Sequence, residues 1–327
     1  MKIILYRNFL FLLLLSLFFS CSKDSDEGGV IGGEQGKEEE EQIESTRNHF
    51  VSAPSDNSVQ AVVDSARKGD TITLGSGTHR VSTTVFFNKP IVIIGEDAEN
   101  TVVEKHNGYS EDIVAFWIDS DSVVMKNFEL DGRGVGGPGI IIKTNSNLFE
   151  NIYLHNCGNY DVKSGGFIFD NAFLNIIRNS RADNNRMVGF SQNDSADNEF
   201  HEVSASGNGA EGLTIDIGSH NCIVKNSNFS GNNAKAGGVG GIGIDDSNGA
   251  FIDNCLIEGT LFEKSGITFQ NNIGPDDGCR IWNSTFRNNS LHGIFLRNCN
   301  YPVTNLGLQD NVFENNGAED VKWQCET

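Results

Sequence analysis

Four aspartates close short alternations of glycine and apolar residues: Asp170 in "GFIFD", Asp216 in "GLTID", and Asp245 with Asp246 in "GIGIDD". If these phrases are successive strands of one sheet, their carboxylates stack at a strand spacing of about 4.8 Å. Two ionised carboxylates at that distance cost up to roughly 3 kcal/mol at a surface-like dielectric, and less after salt screening. A hard cation offsets such a cost, because Ca2+ takes six to eight oxygens and tolerates irregular geometry. Asp170, Asp216, Asp245 and Asp246, with the Asn193 amide, are therefore a candidate Ca2+ set. A solvated acidic stripe is the alternative.

The elements that position them follow from a repeat. Glycines recur at Gly139, Gly166, Gly189, Gly212, Gly241, Gly266 and Gly293, separated by 27, 23, 23, 29, 25 and 27 residues. A second column holds Leu130, Leu154, Ala182, Ala205, Phe229, Ile257, Phe286 and Phe313. Three residues before its members stand Asn127, Asn151, Asn179, Asn226, Asn254 and Asn283, with Glu202 and Asp310 in the other two places. A period in the twenties with two-residue alternation inside each unit means short strands joined by turns and stacked unit on unit. One unit cannot bury its own apolar face, so the units form a solenoid. Asn and Gly are expected at corners that need left-handed backbone. The expected fold is all-β, a single-stranded right-handed parallel β-helix of about ten coils.

In each strand the residues one and three after the glycine are expected to face the core, and those two and four after it to face solvent. The fourth positions are Lys143, Asp170, Asn193, Asp216, Asp245, Gln270 and Arg297. They make one outward ladder, acidic in the middle and basic at both ends. Phe295 stands at an outward second position beside Arg297, with Trp117, Trp282 and Trp323 not aligned with it.

Outside the repeat, "SDNSVQAVVDSARKGD" predicts an amphipathic helix capped by Ser55 or Asp56, with Val59, Val62, Val63 and Ala66 on its apolar face. It would cover the open end of the solenoid. The N-terminus pairs a basic start (Lys2, Arg7) with an apolar run from Phe9 to Phe19, a secretion signal rather than a spanning helix. The following stretch to about Phe50 carries nine acidic and three basic residues and reads as a solvated tether. The expected division is residues 1–20 as signal, 21–50 as tether and 51–327 as the β-helix. With a formal charge of -20 on the whole chain and -16 on the part after the tether, a polyanionic nucleic acid is excluded as a partner. Six cysteines beyond Cys21 show no C-x-x-C spacing and read as buried thiols, with a Cys299–Cys325 pairing left open.

Two resemblances extend this reading. "LFFSC" resembles the lipobox of bacterial lipoproteins, and "CSKDSDEGG" the acidic surface-export signal of Bacteroidota lipoproteins. They imply lipidation at Cys21 and an outer-membrane protein facing the cell exterior, touching the membrane only through its anchor. From Ser55 to Cys325, with "GDTITLGSGT" at Gly69–Thr78 after the helix, the chain resembles the pectate-lyase-like superfamily. That resemblance implies an extracellular polysaccharide as partner and a monomeric lyase. In such enzymes Ca2+ bridges protein carboxylates and the uronate, and a Lys or Arg removes the C5 proton. Proximity to a bound cation depresses the pKa such a base needs lowered.

Candidate bases are Lys143, Arg297 and Lys235, the last in "SGNNAKAGGVGG", which makes its coil the longest. Pro138 in "PGIIIK" stands where lysine-base lyases carry an aspartate, which weakens Lys143. Asn193, Gln270, His292 and Phe295 are candidate substrate contacts. Two other functions stay open. Polygalacturonase-type hydrolases share an order of aspartates, then His292 and Arg297 in "LHGIFLR", but their G-H-G and R-I-K phrases are missing. A β-helix that binds glycan without chemistry is the third reading. The alginate-epimerase Tyr-Asp-His phrase is absent, and His155, His201 and His220 are expected to be structural.

Overall fold

The computed structural model describes residues 45–106, 113–159, 164–216, 218–270, 278–297 and 306–324. The signal, most of the tether, Cys21, Cys299 and Cys325 lie outside the described residues. The rest is a parallel β-solenoid of ten coils. Ten short strands, from Val85–Phe87 to Val321–Gln324, stack in parallel as one sheet. Twenty more make a second sheet, folded lengthwise into two panels at a corner.

That corner is the Asn column. Asn127, Asn151, Asn179, Glu202, Asn226, Asn254, Asn283 and Asp310 all have φ between 49° and 58°. A short polar side chain tolerates this left-handed backbone better than a branched or bulky one. Neighbouring amides also join across coils, as in Asn254 Nδ2 to Asn226 Oδ1 at 2.8 Å.

The glycine column has a different cause. A Cβ built on Gly166 would sit 2.4 Å from the carbonyl oxygen of Gly189, and one on Gly189 would sit 2.7 Å from that of Gly212. The same relation links Gly241 to Gly266 and Gly266 to Gly293. These four column glycines are not left-handed corners: each is required because the next glycine's carbonyl fills the space of its side chain.

Residues one and three after the glycine face inward as expected. Ile140, Phe167, Phe190, Leu213, Ile242 and Ile267 are register partners in successive coils, each fully buried. Each such burial is worth about 1.5–3 kcal/mol. Gln192 is the polar exception. Its amide donates to Cys222 Sγ at 2.8 Å and accepts from Asn198 Nδ2 at 2.8 Å, so the burial is satisfied. Cys157, Cys222, Cys255 and Cys279 are buried cysteines, and burial pushes the thiols of the first three up to about 12.

The helix spans Ser58–Ser65 and buries Val59 and Val63. Its N-cap is Asn57 in the left-handed region, not Ser55 or Asp56, which instead form a short strand against His79–Arg80. A further strand, Asn48–Val51, pairs with Thr71–Leu74 and takes in residues that composition alone gives to the tether. Asp70 fastens it. Its buried carboxylate accepts from the Arg67 and Arg47 amides at 2.8 Å each, from His49 at 2.9 Å, and from the Arg47 guanidinium at 2.9 Å.

Candidate functional site

The outward ladder exists on the ten-stranded sheet. Asp170 pairs with Asn193, Asn193 with Asp216, Asp245 with Gln270, and Gln270 with Arg297. Ile215 opposite Ile244 brings Asp216 and Asp245, the next residues along, onto neighbouring coils. Asp170, Asp216 and Asp245 are all half-buried.

One end of the ladder is compensated internally. Lys143 Nζ donates to Asp170 Oδ2 at 2.7 Å, and Asn193 Nδ2 donates to Asp170 Oδ1 at 3.2 Å. Asp170 is therefore engaged from both sides. Among the described residues no three His, Cys, Asp or Glu side chains gather as a ready-made metal cage. What remains is a pair, Asp216 and Asp245, with Asp246 on the adjoining corner at φ 48°. Its Oδ1 is buried without a hydrogen-bond partner. Carboxylates on adjacent coils are the hard oxygen donors that Ca2+ takes, and a cation held between Asp216 and Asp245 would need further oxygens from a ligand.

The three candidate bases are placed differently. Lys143 is committed to Asp170 and lies 5.4 Å from the Trp117 ring centroid. Lys235 is exposed on the Gly-rich insertion, its backbone N–H donating to the Gly209 carbonyl at 3.0 Å. Arg297 is exposed and forms no ion pair among the described residues. It stands two coils from Asp245, roughly 10 Å along the stack.

The second outward positions do not face solvent as expected. Ile168, Ser191, Thr214 and Thr268 are buried, because the segments entering each coil fold over them. Ile168 packs with Met187, Val188 and Ala210 in a small satellite core. The insertion of the longest coil covers the next stretch: Thr268 Oγ1 donates to the Val239 carbonyl at 2.8 Å, and Gly238 N–H donates to Asn233 Oδ1 at 2.9 Å. Beneath it lies Glu211, whose carboxyl accepts from Val239 N–H at 2.5 Å. Burial pushes that carboxyl above its ordinary range. The sequence did not single out Glu211, and its neighbours Ala210 and Gly212 gave no signal of a covered acid.

His292 reaches the same face but is buried, with Nδ1 3.2 Å from Glu319 and its ring 5.2 Å from Phe295. Trp117 corrects the sequence reading. The register runs Phe86, Trp117, Ile141, Ile168, Ser191, Thr214, Gly243, Thr268, Phe295, so Trp117 does share the column of Phe295. Phe86 is half-exposed and its ring centroid is 6.1 Å from that of Trp117. Together they make an aromatic platform beside Lys143. Of the other tryptophans, Trp282 belongs to the second sheet and Trp323 to the last strand. His155 and His201 are hydrogen-bonded to Glu129 and Glu199, and His220 Nδ1 is buried without a partner.

A family model described as a right-handed β-helix region matches residues 91–239. A search of curated proteins by sequence finds no match. Among solved structures, the chain is similar to a pectate lyase, Pel9A, with 20% identity, a TM-score of 0.66, and 86% of this chain and 79% of that one covered. It is also similar to an alginate lyase from a Paenibacillus strain, with 16% identity, a TM-score of 0.55, and 84% and 100% covered. The A-module of the Azotobacter vinelandii mannuronan C-5 epimerase AlgE6 aligns with 16% identity, a TM-score of 0.52, and 94% of its length covered by 82% of this chain.

Proposed function

We propose that this chain, a right-handed parallel β-helix of the pectate-lyase-like kind, cleaves an extracellular uronic-acid polysaccharide by β-elimination along the ladder of its ten-stranded sheet. The observation that carries the proposal is the placement of Asp216 and Asp245 on neighbouring coils, beside the orphaned oxygen of Asp246. The lyases for pectate and alginate among its structural neighbours support the same substrate class by analogy of fold.

In this reading Asp216, Asp245 and Asp246 would hold Ca2+ at the ladder, where a substrate carboxylate could reach it. The bound ion would neutralise that carboxylate and acidify the C5 proton beside it. Arg297 is the base: exposed, on the ladder and without a carboxylate partner among the described residues. The Arg297 guanidinium must first give up a proton to solvent; the neutral guanidine then takes the C5 proton, the C5–H electron pair becomes the C4–C5 double bond, and the C4–O bond breaks with its oxygen protonated from solvent. Lys143, braced by Asp170, offers positive charge to a neighbouring uronate. Trp117 and Phe86 give a sugar face something to stack on five and six coils from Asp245, roughly 24–29 Å, so the substrate lies along the stack as an extended chain. Lipidation at Cys21 and the acidic tether would hold the enzyme, as a monomer, on the outer face of the outer membrane.

The test is calorimetric titration with Ca2+ of wild type and of Asp216→Asn/Asp245→Asn, paired with absorbance assays for unsaturated products on pectate and alginate. Saturable binding lost in the double variant, with Ca2+-dependent product formation, supports the reading. Absence of both makes the aspartates a solvated stripe on a protein that binds glycan without cleaving it.

A further inference from the structure

A second cluster lies on a different sheet. Where the twenty-stranded sheet turns its corner, a cleft of about 630 Å³ opens between the Asp97–Asn100 turn and the strands around Tyr153 and Arg181. The turn is braced: Asp97 accepts from the Glu99 amide at 2.9 Å and from Asn100 Nδ2 at 2.6 Å. The wall that carries Glu99 is thus fixed.

On the opposite side, Tyr153 is flanked by its strand neighbour and its coil neighbour. The His155 ring stacks on it at 4.5 Å with a 23° interplanar angle, and the Arg181 guanidinium carbon lies 4.0 Å from its centroid. His155 is itself held by Glu129 at 2.9 Å and by the Asn156 amide at 2.7 Å. The stack therefore rests on a braced side chain, and it presents a phenol and a guanidinium in fixed positions.

The hydrogen-bonding capacity of these groups is unspent. Elsewhere on this sheet, arginines pair with a glutamate one coil away, as Arg178 does with Glu150 at 2.8 Å and Arg287 with Glu258 at 2.6 Å. Arg181 lies flat on an aromatic ring instead. Among the described residues its guanidinium has no hydrogen-bond partner, and neither do the Tyr153 hydroxyl, the Glu99 and Glu202 carboxylates or the Asn179 amide. All five side chains line the cleft.

We propose that this cleft binds a neutral, hydroxyl-rich saccharide, as a site separate from the acidic ladder. Two free carboxylates beside Glu129 disfavour a polyanion, and the polar lining disfavours an apolar ligand. Vicinal hydroxyls satisfy the set from both directions, accepting from Arg181 and Asn179 and donating to Glu99 and Glu202. The volume is that of a site for a short oligosaccharide. The proposal does not depend on the ladder being catalytic.

The test is calorimetry of the full protein with cellohexaose, xylohexaose, mannohexaose and maltohexaose, with hexagalacturonate as the anionic comparator. At least one neutral hexamer is expected to bind. Arg181→Ala should weaken it about tenfold or more, the scale of one lost hydrogen bond from a charged donor. Asn179→Gly, which keeps the left-handed corner and removes the amide, should weaken it severalfold, and Asp216→Asn/Asp245→Asn should leave it unchanged. Thermal melts of each variant separate loss of the site from loss of the fold. No binding by any of the four neutral hexamers, binding of the anionic hexamer only, or neutral binding indifferent to Arg181→Ala would overturn the proposal.

Discussion

Lys143 and Asp170 meet across one coil of the ladder at 2.7 Å, so the basic end of the ladder and its first acid answer each other. Arg297, at the other end, has Gln270 and Gln324 as its coil neighbours. The two cations are thereby assigned different work. Lys143→Ala is expected to raise KM severalfold on a uronate polymer with little change in kcat, since it removes binding shared by ground and transition states. Arg297→Ala should lower kcat by about 10² or more, the usual scale for a lost general base. Steady-state kinetics on both variants checks the assignment, and equal losses of kcat would defeat it.

The glycine column makes a prediction that is purely steric. At Gly189 a Cβ would meet the Gly212 carbonyl oxygen at 2.7 Å and the Ala182 carbonyl oxygen at 3.0 Å, neither of which can swing away. Gly189→Ala is expected to cost about 1–3 kcal/mol, read as a lowered urea midpoint. Gly134 has φ 69° and nothing within 4 Å of its Cβ position, so Gly134→Ala carries only the left-handed penalty, about 1–2 kcal/mol. If strain rather than space governs the column, the order of the two variants reverses.

A chain of buried amides runs through the turns between the two sheets. Asn147 donates backbone and side-chain N–H to Asn175 Oδ1 at 2.9 and 2.8 Å, and Asn175 does the same to Asn198 Oδ1 at 2.9 and 3.0 Å. Asn198 Nδ2 continues to the Ala172 carbonyl at 2.8 Å. Asn198→Ala leaves buried donors and a carbonyl unpaired, each costing about 1–3 kcal/mol. Chemical denaturation is expected to show a larger loss for Asn198→Ala than for Asn254→Ala on the exposed corner.

Much of this architecture is legible in the sequence, and its failures are physical. The period, the inward columns and the order of the ladder follow from alternation, because a stacked coil repeats its side-chain directions. The Asn corner was readable for the same reason. The buried amide chain was not, since Asn147, Asn175 and Asn198 look like any other turn residues until a coil is placed above and below them. Trp117 reads as unaligned because its strand, Phe116–Ile118, carries no glycine of the repeat, so register alone reveals its column. The covered second positions failed because strand alternation says which way a residue points, not what another segment lays over it. The Arg181–Tyr153 stack joins residues 28 apart, on coils whose pairing had to be known first.

Asp70 ties the first strand to the solenoid, and its acid sensitivity can be signed. Hydrogen bonds from the Arg67 amide and from His49 hold its carboxyl well below the usual carboxylate range. A depressed carboxylate contributes stability that is fully present above its unfolded value, about 3.9, and is lost as pH falls from there toward the folded value. Asp70→Asn is therefore expected to lower the melting temperature at pH 7. The gap to wild type should narrow as pH falls below about 4. A gap independent of pH would mean that the side chain acts by shape alone.

Glu211 has the opposite sign. Burial beneath the Gly-rich insertion, against one hydrogen bond from Val239 N–H, raises its carboxyl above the ordinary value. For a raised acid, the folded state holds its proton longer than the unfolded chain does. Stability is then greatest below the unfolded value, about 4.3, and declines as pH rises through the folded one. Glu211→Gln keeps an oxygen for Val239 N–H and removes the charge. It is expected to match wild type near pH 4 and to melt higher at pH 8, with the gap opening as pH rises between them. Hydrogen exchange at the Val239 amide should speed up with pH in wild type beyond the intrinsic rate, and not in the variant. That result would show that the insertion loosens over the ladder face when Glu211 ionises. Identical melting curves at both pH values would show instead that the carboxyl is solvated in place and that the insertion is an inert cover.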